Sequence, residues 1–177
     1  MIESNDYAGI VYHFDPGLLT AAVLLLMLLL VLATAFLSGK KAWRGICLGT
    51  LIVAIALIIC LTLVLREKYY RGILPIPFKR LADSPQPAAV LSEMLENLLM
   101  FLPVGFLLSA LIADKKRRPI AVTVAFSLGF SLAIEILQYV FSTGYAQADD
   151  LLMNAMGAFL GALSYSCGRR IREKRSA

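Results

Sequence analysis

The chain has 177 residues, of which 59% are hydrophobic and 16% charged, with a net charge of +5 and a mean hydropathy of +0.77. Soluble domains are about 45–50% apolar and about 25% charged, so this composition excludes an ordinary water-soluble enzyme. The three cysteines, Cys47, Cys60 and Cys167, are odd in number and lack metal-ligand spacing, and His13 has no second His, so a disulfide framework, a zinc site and His-based catalysis are set aside as well.

Apolar residues gather in five runs, at 18–37, 46–65, 95–112, 120–141 and 151–167. A hydrocarbon core of about 30 Å is crossed by about 20 apolar helical residues. The first, second and fourth runs meet that length; the third carries Pro103, and the fifth is short and glycine-rich. Residues 1–17 hold Glu3, Asp6 and Asp15 and no Lys or Arg. A signal peptide needs a positive n-region, so the first run reads as a retained helix although Ala33-Thr34-Ala35 resembles a cleavage site. Backbone groups in lipid must bond within their own element, and the alternation of a barrel is absent. The fold class is therefore all-α: a polytopic membrane protein of about five helices forming one domain over residues 1–177.

Basic residues orient it. Lys40, Lys41 and Arg44 lie between the first two runs, Lys115, Lys116, Arg117 and Arg118 between the third and fourth, and Arg169, Arg170, Arg172, Lys174 and Arg175 in the tail. The positive-inside rule places these segments in the cytoplasm, the N-terminus outside and the C-terminus inside. Those loops account for the positive charge, with no nucleic-acid partner required. The segment 66–94 is then an outer loop, yet it holds Arg66, Lys68, Arg71, Lys79 and Arg80, and Pro75, Pro77, Pro85 and Pro87 oppose a continuous helix there. Two readings stand: a solvated loop with snorkelling flanks, or a basic loop whose Arg71, Lys79 and Arg80 meet anionic groups.

The remaining polar residues collect at the outer helix ends. Glu93, Glu96 and Asn97 open the third helix, where Glu93 is also a capping candidate, and Pro103-Val104-Gly105 is expected to interrupt that run. Ser127, Ser131, Glu135 and Gln138 step by 4, 4 and 3 along one face of the fourth helix. Glu135 sits roughly 9 Å below its outer end. Asp149 and Asp150 start the fifth helix, where the dipole favours an anion, and Asp150, Asn154, Gly157 and Gly161 share a face. A charged group in a bilayer costs a few kcal/mol and faces the bundle interior. Glu93, Glu96, Asn97, Glu135, Gln138, Asp149, Asp150 and Asn154 are thus candidates to line a pocket; the competing reading is a packing network with Glu135 bonded to Gln138 or Asn154. Gly157 and Gly161 form a GxxxG that permits close helix approach, within the chain or between copies in a homo-oligomer.

An ordered set of motifs carries a resemblance: LPIPF (74–78), ENLLMFLPVGFLL (96–108), IEILQ (134–138) and ADDLLMNAMGAFLG (148–161). Together they resemble the VanZ-like family of bacterial membrane proteins over about residues 70–165. The matching positions are Asn97, Phe101, Pro103, Gly105, Glu135, Gln138, Asp150, Asn154 and Gly157. Many members carry an Arg shortly after the glycine that precedes the Asp pair; here that place reads Gly144-Tyr145-Ala146, so Arg71, Lys79 or Arg80 would have to supply any anion contact.

The resemblance implies a multi-pass protein of the bacterial plasma membrane with a cell-envelope role, and low-level teicoplanin resistance as the family's named phenotype. The first functional expectation is a non-enzymatic protein that binds membrane lipids, a lipid-linked cell-wall component or a lipoglycopeptide at the outer pocket, without cofactor. The second is an intramembrane enzyme acting on a lipid head group through paired carboxylates such as Glu135 with Asp149 or Asp150, with or without a divalent cation. The third and weakest is a proton-coupled transporter, since no inverted repeat is visible.

Overall fold

The computed structural model describes residues 41–64, 72–114 and 118–176, with Leu25, Leu29, Leu30, Leu32 and Ala33 as isolated helical positions. The first expected helix, 18–37, lies outside the described residues except at those five, of which Leu30 and Ala33 pack against the core.

Helix α1 spans Lys41–Ile59 and widens into a π turn over Cys60–Val64. A short strand β1, Gly72–Leu74, and a single-turn helix α2, Lys79–Asp83, follow. Helix α3 is Pro87–Ile112, α4 is Pro119–Phe141, strand β2 is Tyr145–Gln147, and α5 is Ala148–Ser176. Four helices among the described residues are long and apolar enough to cross a membrane: Ala42–Val64, Pro87–Ile112, Pro119–Phe141 and Ala148–Lys174. Their outward faces are apolar, as Ile52, Leu57, Phe126, Leu132, Ile136 and Phe159 show. In water such a surface would drive aggregation; against acyl chains it needs no cover. The chain is an all-α polytopic membrane protein.

Several boundaries differ from the hydropathy reading. Helix α3 begins at Pro87 rather than at residue 95. Proline at the first helical position has a preset φ and needs no partner for a missing N–H, so it starts a helix well. Glu93 and Glu96 lower the local hydropathy without opposing helix formation. Pro103 does not interrupt α3, which is helical on both sides of it. Within a bundle, neighbouring helices tolerate proline in this way. Helix α5 extends from 148 through the basic tail, beyond the apolar stretch 151–167. In its described part, the expected outer loop 66–94 is β1, α2 and the first turns of α3.

Helix α3 is the hub. Its Phe101, Val104, Phe106 and Leu107 are almost wholly buried, against Trp43, Cys47 and Leu51 of α1 and Tyr165 of α5. The Phe106 and Tyr165 rings meet edge to face at 5.7 Å, and Phe101 meets Phe130 of α4 at 5.8 Å. Helices α3 and α5 form the most extensive pair, and glycine sets their separation. A Cβ on Gly105 would stand 2.1 Å from the Ala158 carbonyl oxygen, one on Gly157 2.1 Å from that of Leu98, and one on Gly161 2.0 Å from that of Leu102. The Gly157/Gly161 face packs against α3 of the same chain, the within-chain reading of the GxxxG.

Gly157→Ala and Gly161→Ala are expected to force α3 and α5 apart and to cost about 1–3 kcal/mol each, as overpacking does. Gly129, whose Cβ would meet nothing within 4 Å, is the control: Gly129→Ala is expected to be neutral or stabilising by up to about 1 kcal/mol. Thermal unfolding in detergent separates the two outcomes.

Candidate functional site

The start of α3, the end of α4 and the start of α5 lie at the same end of the bundle, and the β1–α2 segment closes over them. Strands β1 and β2 pair in parallel, Gly72 with Tyr145, Ile73 with Ala146 and Leu74 with Gln147. Position 72 is glycine because the Tyr145 ring lies over it, 2.6 Å from where a Cβ would be. These two three-residue strands are an addition to the all-helical expectation.

Three side-chain ties reinforce the pair. Arg80 of α2 binds Glu93 of α3 through two nitrogens, one at 3.0 Å from Oε1, and its Nη1 also donates to Gln147 Oε1 at 3.2 Å. The fork geometry of a guanidinium matches a carboxylate bidentately. The Glu93 hydrogen bond holds the Arg80 guanidinium above its ordinary pKa against partial desolvation, and the charges of Glu93, Asp150 and Asp149 act in the same sense. The Phe78 N–H donates to Asp149 Oδ1 at 2.6 Å. Phe78 has φ 60°, a left-handed conformation that a bulky residue seldom adopts. Such a residue costs of order 1–3 kcal/mol, and the Asp149 contact offsets it while turning the chain into α2.

Below this layer the groups are buried. Glu135 is 4% exposed and accepts the backbone N–H of Gln147 at 2.8 Å. Asp150 Oδ1 accepts from Asn97 Nδ2 at 2.7 Å, joining α5 to α3. Gln138 Nε2 donates to the Thr62 carbonyl at 3.2 Å in the π turn of α1. Asn154 Nδ2 donates to Ser131 Oγ at 2.7 Å. Glu96 is half-buried beside Ser92.

So Glu93, Asn97, Glu135, Gln138, Asp149, Asp150 and Asn154 stand in one connected region, and Glu96 lies on its flank. Glu93 does not cap α3; it lies in the second turn and is an ion-pair partner. Asp149 and Asp150 do occupy the first turn of α5, where the helix dipole favours them. Arg80 is a member of the region, Lys79 is exposed at its edge, and Arg71 lies outside the described residues. Where the family pattern carries an Arg, this chain has β2, and the cation that reaches β2 is Arg80. Sequence reasoning missed Gln147, Thr62 and the backbone of Phe78. LPIPF contains Phe78, but the strands are too short for periodicity to reveal.

A cleft of about 290 Å³ opens beside these ties, lined by Ile73, Leu74, Pro75, Ile76, Lys79, Arg80, Asp83 and Asp149. Four of the lining residues are apolar, two are cations and two are anions. Ligand sites run from about 300 to 1,000 Å³, so the cleft suits one head-group fragment rather than a whole lipid-linked molecule. Among the described residues no three His, Cys, Asp or Glu side chains come together as a metal-binding set. Glu135, Asp149 and Asp150 each accept a hydrogen bond that ties two elements together.

Arg80→Ala removes both the Glu93 and the Gln147 contacts. Amide protection over 72–83 is then expected to fall about tenfold or more, while that of the α3–α5 core is kept. Hydrogen exchange read by mass spectrometry is the check, and Arg80→Lys, which loses the fork but keeps the charge, is expected to fall between.

The family model described as VanZ/LLP1 matches residues 23–169. Among curated proteins, Protein VanZ of Enterococcus faecium is 33% identical over 78 residues, which span 44% of this chain and 47% of that protein. The match thus covers less than half of either chain. No solved structure matches.

Proposed function

The chain belongs to the VanZ/LLP1 family, and on that premise we propose that it is a non-enzymatic envelope protein that binds a lipid-linked wall component or a lipoglycopeptide at the end of the bundle where β1, α2 and the Asp pair meet. The observation that carries this reading is the cleft itself. Its apolar residues Ile73, Leu74, Pro75 and Ile76 suit the first carbons of an acyl or polyprenyl chain next to the head group. Its Lys79, Arg80, Asp83 and Asp149 offer donors and acceptors to a head group of mixed character. Arg80 is already committed to Glu93, so Lys79, for which no ion pair is formed among the described residues, is the cation available to a phosphate.

The positive-inside rule puts this end on the outer face of the plasma membrane, with Asp114, Arg118 and the basic end of α5 inside. In cells carrying Lys79→Cys in a cysteine-free background, a membrane-impermeant maleimide is expected to label position 79 from outside. Labelling only after permeabilisation reverses the orientation.

The name of the E. faecium relative motivates the choice of phenotype. In a glycopeptide-sensitive Gram-positive host, the wild-type chain is expected to raise tolerance to teicoplanin and not to vancomycin. Lys79→Ala and Asp149→Ala are expected to remove at least half of that gain at matched membrane levels, since a charge-assisted contact of about 1.5–3 kcal/mol is lost. Full tolerance in both variants removes the cleft from the function; no tolerance from the wild type removes the glycopeptide phenotype and leaves the wall component as ligand.

A further inference from the structure

The polar face of α4 does not end at Glu135. Thr123, Ser127, Ser131, Glu135 and Gln138 are all buried, the first three with no exposed surface at all. Their spacing of 4, 4, 4 and 3 keeps them in one line, and the line runs fifteen residues, roughly 22 Å at about 1.5 Å per residue. That is most of a hydrocarbon core of about 30 Å. Neighbouring helices continue it: Ser109 of α3 shares a hydrogen bond with Thr123 at 2.9 Å, and Asn154 of α5 donates to Ser131.

Such a seam is far more polar than packing requires, and it is incompletely paired. Ser127 Oγ, Asn154 Oδ1 and Gln138 Oε1 are buried and have no hydrogen-bond partner among the described residues. Each belongs to the seam. An orphaned buried polar atom costs about 1–3 kcal/mol, a cost that a bridging water at each of the three would remove. The step between successive residues on the line is roughly 6 Å, about two hydrogen bonds of about 2.8 Å. A gap of that length is one that a single water can bridge.

We infer that this seam is a hydrated proton relay joining Glu135 to the opposite face of the membrane. A proton entering beside Thr123 passes to the next water, and each hydroxyl of Thr123, Ser127 and Ser131 gives its own proton onward as it accepts one. The carboxylate of Glu135 receives the last proton, its release toward the Gln147 end restores every group's protonation, and each hydroxyl and water turns back before the next proton enters. Asn154 Oδ1 and Gln138 Oε1 accept from the waters and hold the file in place. The ionisable groups around the Glu135 end are Arg80 of α2, Glu93 and Glu96 of α3, and Asp149 and Asp150 of α5. At the other end are Arg118 and the Asp114–Arg169 pair. The relay requires no ligand in the cleft.

The test uses the full chain in proteoliposomes with an entrapped pH-sensitive dye and an imposed potassium potential. Wild type is expected to carry protons at least roughly tenfold faster than protein-free vesicles, and Glu135→Gln and Ser127→Ala to lower that flux by at least roughly tenfold. Glu135→Gln keeps an oxygen for the Gln147 N–H. Ser127→Ala removes only an unpartnered hydroxyl, so both are expected to unfold at the wild-type temperature. Ser127→Thr restores a hydroxyl and is expected to restore flux; Ser164→Ala, whose hydroxyl bonds its own helix at Leu160, is expected to leave it unchanged. Wild-type flux no greater than that of empty vesicles, or equal flux in wild type, Glu135→Gln and Ser127→Ala, overturns the relay.

Discussion

The contact on which the rest of this structure depends is the backbone approach of α3 and α5 across Gly105, Gly157 and Gly161. With lipid as solvent there is little hydrophobic drive to press helices together, so association rests on packing and interhelical hydrogen bonds. Three glycines on facing surfaces let carbonyl oxygens sit where a side chain would otherwise be. The same proximity lets Asn97 reach Asp150. Helix α4 then adds to the pair through Phe101–Phe130 and Ser131–Asn154. Spreading α3 from α5 would undo the polar contacts and the aromatic ones together.

The end of the bundle is organised by contacts between residues distant in sequence. Phe78 meets Asp149, Arg80 meets Glu93 and Gln147, and β1 meets β2. The β1–α2 segment is short and has little core of its own; apart from Leu74 and Leu81, most of its apolar side chains are exposed. Its place is therefore set by charge and backbone hydrogen bonds, which tolerate an aqueous edge, and not by burial. This explains why an aromatic residue can be held at positive φ there: the Asp149 carboxylate captures its N–H, and the turn has no cheaper way to enter α2.

Much of this was legible before any coordinates. The spans of α1 and α4 follow from apolar length, and the one-face spacing of Ser127, Ser131, Glu135 and Gln138 follows from helical period. Position along a helix told which residues share an end, because the direction of each span fixes depth. What was not legible had physical reasons. The start of α3 was hidden because hydropathy registers Glu93 and Glu96 as interruptions, whereas helix formation does not. Pro103 reads as a break by local rule, and only the surrounding helices make it tolerable. The strands are three residues long and their paired residues, such as Ile73 and Ala146, are 73 positions apart, so no local pattern announces them. Gln147 and Thr62 act through a backbone N–H and a backbone carbonyl, and residue type says nothing of either.

The arrangement of polarity along α4 follows the cost of burial. Ionic groups stand at the helix ends: Arg80 with Glu93 at one, Asp114 with Arg169 at the other. Between them the seam is made of hydroxyls and amides, whose burial costs a few kcal/mol where an unpaired charge costs much more. Glu135 is the exception, one carboxylate set inward of the charged layer and linked to it by Gln147: the Gln147 N–H donates to Glu135 while the Gln147 side chain accepts from Arg80. A change at Arg80 acts on the Gln147 side chain, and a shift of Gln147 alters the hydrogen bond to the buried carboxylate. The cleft and the seam are thereby mechanically joined at β2, whichever of them carries the protein's principal task.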